Sequence, residues 1–222
     1  MSLGPNINAA MDPKVEPRAV EAMQKATARL SQATARERAY VEALAARYSA
    51  KKSVTRKAKD EAYAKAMRQV AREAPDDADA ATIAAEAMMV LRPWDYWRAD
   101  GRPQPGTEEI LAILEAALRQ HPDHPGACHY YIHAVEASPD PQRALDCAKR
   151  LPSLMPGAGH LVHMPAHIYM RLGRYREASE RNATAAMVDH EYLSRHPLEG
   201  NYASGYYAHN LHFLNASLMM EG

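Results

Sequence analysis

An all-helical fold without strands is what this sequence predicts, on three observations. Alanine, leucine, arginine and glutamate dominate its 222 residues, while the β-branched residues are scarce and phenylalanine occurs once. That composition favours helix over sheet. Apolar residues recur three and four apart, as they do along one face of a helix. One spacing also repeats: His129 to His163, His133 to His167, Ile110 to Ala144 and Ala144 to Ala178 are each 34 residues apart, the period of a stacked helix–turn–helix unit.

Taken in order, residues 4 to 13 (Gly4, Pro5, Asn6, Asn8, Pro13) read as an ordered loop entering a helix at about 16 to 30, with Ala19, Val20, Met23, Ala26 and Leu30 at helical spacing. Thr34-Ala-Arg-Glu37 has the form of a capping box and starts a helix to about Tyr48, with Tyr40, Val41 and Leu44 on its apolar side. A basic linker, Lys51 to Arg56, leads to a helix at about 56 to 73, and Pro75-Asp-Asp opens another at about 78 to 91. Residues 92 to 106, rich in Pro and Gly, are an insertion loop between repeats. Trp94 and Trp97 in that loop are expected either to anchor it on the scaffold or to form a lid. Met88, Met89, Met219 and Met220 are expected in the core rather than in a soft-metal site, and Asp76, Asp77 and Asp123 are helix-start acids.

Leu172-Gly-Arg-Tyr175-Arg-Glu-Ala178, with Ala185 behind it, and Ala117-Leu-Arg-Gln-His-Pro122-Asp-His-Pro are the turn and the exit of a tetratricopeptide repeat. The chain resembles that family over about 56 to 192, and within it a bacterial subgroup with in-register His-x-x-x-His pairs. It departs from the pattern where the first helix usually has a small glycine, at Ile132 and Ala166, and at the early aromatic, here Cys128 or Val162. The resemblance implies one domain over 1 to 222, a right-handed α-α superhelix of about nine helices, with a concave face lined by the first helix of each repeat. Counted in the family's register, His129 and His163 share one groove position, His133 and His167 the next, with His160 and Glu136 on the same face. Glu86 takes the corresponding place one repeat earlier.

The pairs His129/His133 and His163/His167 each put two imidazoles side by side on a helix face. Tyr206-Tyr-Ala-His209-Asn-Leu-His212 supplies two more near the end. Converging neutral imidazoles suit Zn, Cu, Fe or Ni far better than Ca or Mg, so His129, His133, His163 and His167 are candidate metal ligands. Glu86 and Glu136 would complete the shell, orient a ring from behind or act as a base. Tyr130, His160, His209 and His212 line the same expected groove. A metal with an open position could activate water or bind oxygen.

Two readings of function stand side by side. In the first, which follows from the resemblance, the concave face is a scaffold that binds a peptide, a protein or a small molecule, with no cofactor. In the second, which follows from the histidine register, the chain binds a transition metal or is a metalloenzyme, with the catalytic residues unassigned. Lys plus Arg and Asp plus Glu balance at 27 each, which gives no reason to expect nucleic acid or an anionic membrane as partner. The two cysteines, Cys128 and Cys147, lack the spacing of a disulfide framework and read as small buried thiols. No apolar run approaches about 18 residues, and the abrupt ends read as a fragment of a longer protein, placed in the cytoplasm.

Overall fold

The computed structural model describes residues 4–49, 53–196 and 202–222, so the first residues of the expected basic linker lie outside the described ones. All regular structure among the described residues is helical; the extended contacts are two isolated bridges, Asn6 with Ala9 and Trp97 with Pro103. The helices gather into two compact units, residues 1–120 and 121–222.

The first unit holds α1 (Glu16–Thr27), α2 (Ala35–Arg47), α3 (Arg56–Glu73), α4 (Ala78–Val90) and α5 (Thr107–Gln120). Their starts are set by side chains that satisfy the orphan N–H groups of a first turn. Thr34 Oγ1 accepts from the Glu37 N–H at 3.2 Å and Glu37 Oε2 accepts from the Thr34 N–H at 2.8 Å, the reciprocal box the sequence predicts. Thr55 caps α3 and Asp77 caps α4. Alanines at the crossings (Ala43, Ala64, Ala80, Ala84, Ala87) let the helices approach around Tyr63, Met67 and Val70. A bidentate pair, Arg68 to Glu109 at 2.7 Å for both bonds, ties α3 to α5. In the insertion the buried aromatic is Tyr96, whose carbonyl accepts from the Thr107 hydroxyl at 2.8 Å, whereas Trp94 is half exposed.

The second unit holds α6 (Pro125–Val135), α7 (Leu145–Leu154), α8 (Gly159–His163), α9 (Pro165–Arg171), α10 (Tyr175–Arg195) and α11 (Ala208–Glu221), the last preceded by a π-helical turn, Tyr202–Tyr207. Pro165 splits one expected helix into α8 and α9, because its nitrogen cannot donate to the carbonyl a turn earlier. Gly173, at φ 71°, makes the left-handed turn between α9 and α10 that its place in Leu172-Gly-Arg predicts. Ile132, Val135, Leu151 and Ile168 are fully buried, each contributing roughly 1.5–3 kcal/mol of apolar burial. Both cysteines are buried thiols, as expected.

One expectation fails: Met219 and Met220 are exposed rather than core. The cap of α6 is His124, whose Nδ1 accepts from the Ala127 N–H at 3.0 Å, one residue after the helix-start acid Asp123.

Candidate metal centre

Within the second unit, α6 carries His129 and His133 and ends on Glu136; α8 carries His160 and His163; α9 carries His167 and α11 carries His209. These six imidazoles come together in two groups of three. One ring nitrogen each from His129, His133 and His160 lies within 4.8 Å of the other two, and the same holds for His163, His167 and His209. Three nitrogens bound to one ion at 2.0–2.1 Å in a tetrahedral arrangement stand roughly 3.3 Å apart, and the shortest contacts fall a few tenths of an ångström inside that value. His163 Nε2 is 2.8 Å from His167 Nε2 and 3.0 Å from His209 Nε2, and His129 Nε2 is 3.1 Å from His160 Nε2.

The hydrogen bonds behind the rings decide what these nitrogens present to one another. Ser217 donates its hydroxyl proton to the Leu214 carbonyl at 2.9 Å, so its oxygen is left to accept from Asn182 Nδ2 at 3.4 Å. That turns Asn182 Oδ1 toward His163 Nδ1, 2.6 Å away, and an amide oxygen can only accept. His163 therefore carries its proton on Nδ1 and presents a bare Nε2. Glu136 does the same for two rings at once: Oε1 accepts from His133 Nδ1 at 2.9 Å and Oε2 from His167 Nδ1 at 2.5 Å. A carboxylate or amide behind the ligating imidazole is the usual outer support of a metal site, fixing the tautomer and the ring plane.

The electrostatics disfavour the charged form of five of the rings. Burial first, then the neighbouring rings, hold His129, His160 and His163 well below the ordinary imidazole range; burial lowers His133 too, and lowers His209 to about 4. Burial opposes ionisation of Glu136, but His167 and the two hydrogen bonds outweigh it and hold its carboxyl well below the usual range. The result is one carboxylate behind a set of imidazole nitrogens. His160 Nδ1 is buried and makes no hydrogen bond, a defect that costs about 1–3 kcal/mol.

Every candidate ligand predicted from the sequence, His129, His133, His163 and His167, belongs to one of the two groups, and His160 and His209 complete them. Glu136 stands behind the rings. Tyr130 is half-buried with its ring 4.7 Å from that of His129. His212 is exposed on α11 and belongs to neither group. Glu86 lies in the first unit, where burial raises its carboxyl to about 7 against the pull of Arg47.

Sequence reasoning missed three supports. Asn182 sits on α10, a helix assigned to the outer layer of its repeat. Phe213 packs its ring 5.0 Å from His163 and 4.8 Å from His167, and its place four residues after His209 was a usable signal. The third is Asp189, which accepts from Tyr202 at 2.6 Å and from Asn210, pinning the segment that bears His209 to α10. Gly159 makes room for it, since a Cβ there would lie 1.9 Å from Asp189 Oδ1.

The fold and the site define an all-helical protein with two histidine groups, each able to hold a metal ion. No family model matches the chain, and no curated protein matches it. Among the described residues no helix is long and apolar enough to cross a membrane.

Proposed function

We propose that this chain is a tetratricopeptide-like helical-repeat protein, wound as a right-handed solenoid, whose function is to bind transition-metal ions at its histidine groups. The observation that carries the reading is the pair of nitrogens, His163 Nε2 and His167 Nε2, held 2.8 Å apart with their far nitrogens already donating. Two lone pairs at that separation repel unless a cation, a metal ion or a proton, lies between them. A neutral all-imidazole donor set suits Cu, Zn, Ni or Fe(II), and three protein ligands leave a position open for water or a substrate.

The peptide-scaffold reading stands second. His133, His163 and His167 are buried, and each has its Nδ1 already committed to Glu136 or Asn182, which leaves no ring N–H there to offer a peptide backbone.

Elemental analysis of protein purified without a histidine tag tests the proposal. The expected result is near-stoichiometric metal, lost in a His133→Ala, His167→Ala double variant whose far-ultraviolet dichroism is unchanged. Protein that is metal-free and stays so after incubation with Zn, Cu, Ni or Fe(II) overturns it.

A further inference from the structure

Resting on the metal-binding reading above, we infer that the two histidine groups form a single dinuclear copper centre that binds dioxygen between its two ions.

The first argument is adjacency. Ring centroids within a group are 4.7 to 6.0 Å apart. Across the groups His133 lies 5.4 Å from His167 and His160 lies 6.0 Å from His163, so the boundary between the groups falls within the same range of ring spacings. Ions held at the two centres are close enough to share a ligand, as pairs separated by roughly 3.5–4 Å do.

The second argument is charge. Both Glu136 oxygens are taken by imidazole N–H groups, one from each triad. The carboxylate thus braces the pair from behind without entering either donor set, and each ion keeps three neutral nitrogens. Such a set stabilises Cu(I) and Cu(II) alike and gives hard cations little.

The third is access. His163 and His133 are buried at the floor while His209 is exposed and His129 and His160 are half-buried, so the open positions of two three-coordinate ions face an approachable side. A diatomic ligand is small enough to span them. Dioxygen meets the electron balance: each Cu(I) gives one electron and becomes Cu(II), dioxygen takes both and becomes bridging peroxide, the O–O bond persists and no proton moves. The reverse electron transfer releases dioxygen.

The test loads the full chain anaerobically with Cu(I), counts copper, admits dioxygen, and records uptake, near-ultraviolet absorption and the electron paramagnetic resonance spectrum. The expected result is two coppers per chain and one dioxygen taken up per copper pair. A charge-transfer band should appear and fade under argon, and the loaded form should give almost no paramagnetic signal because the two Cu(II) spins couple. His209→Ala, on the exposed rim, should hold one copper, form no band and show one ordinary Cu(II) signal after oxidation. Two coppers per chain with full uncoupled Cu(II) signal, or with no dioxygen uptake, overturn the dinuclear centre and leave metal binding standing. No copper bound at all overturns the dinuclear copper centre, and failure to bind Zn, Ni and Fe(II) as well overturns the metal-binding reading with it.

Discussion

His163 and His167 face each other Nε2 to Nε2 across 2.8 Å while the other nitrogen of each ring is committed, to Asn182 and to Glu136. The kink at Pro165 falls between them and sets their rings 4.7 Å apart and nearly perpendicular, at 79°. Glu136 then fixes which nitrogen is bare on His167 and, through its second oxygen, on His133. Substitution of Glu136 by Gln leaves one of the two rings without an acceptor. The expected outcome is a 10- to 100-fold loss of metal affinity, the usual order for an outer-shell partner, with helicity retained. Competition against a chelator of known affinity measures it.

Gly159 and Asp189 are coupled by space. Gly159→Ala drives a methyl group to 1.9 Å from Asp189 Oδ1, and the carboxylate that holds Tyr202 and Asn210 must move. Overpacking of this kind costs about 1–3 kcal/mol. The variant should melt earlier and lose the ion held with His209 before the one held by His129, His133 and His160. A thermal melt beside a metal count reads both effects.

The two units respond to pH in opposite directions. Glu86 has its carboxyl raised from 4.5 to about 7 by burial; the unfolded chain gives up that proton first as pH rises, so the first unit loses stability between pH 4.5 and about 7. Glu86→Gln should remove this slope and stabilise the unit at pH 8 by about 2 kcal/mol, allowing for solvent at the half-buried side chain. In the metal-free second unit burial holds His129, His133, His160, His163 and His209 below the ordinary imidazole value of 6.5. Stability there is fully present above that pH and is lost as acid protonates the unfolded chain. Hydrogen exchange resolved by peptide, from pH 8 to 5, should show α4 more protected and α8 and α9 less protected as the pH falls.

Metal should stabilise the second unit by mass action. An ion at a hundredfold excess over its Kd adds about 2.7 kcal/mol, a rise on the order of 10 °C for a unit of this size. A chelator should reverse it, and the His163→Ala variant should show a smaller rise.

Much of this was legible in the sequence. Thr34 and Glu37 announce a helix start by their own chemistry, and the spacing of 34 residues brings His129, His133, His163 and His167 to one place because helical periodicity acts locally. What was not legible depends on tertiary contacts. His209 belongs to a helix whose register against α10 is set by Asp189, through partners 13 and 21 residues away in sequence. Asn182 is an ordinary polar residue until Ser217 fixes which end of its amide faces His163. Glu136 was one carboxylate with three possible roles, and only its two hydrogen bonds put it behind the rings. Glu86 shares the groove register by counting, yet its closest charges are Arg47 and Asp60 in the first unit.

Anomalous scattering from crystals of protein loaded with copper or zinc is the most direct test of the histidine groups as metal sites. The account predicts a metal peak at about 2.0–2.1 Å from Nε2 of His163, His167 and His209, with Glu136 still bonded to Nδ1 of His167. Loaded crystals with no peak there, and with the short nitrogen contacts explained by N–H···N hydrogen bonds alone, would contradict it.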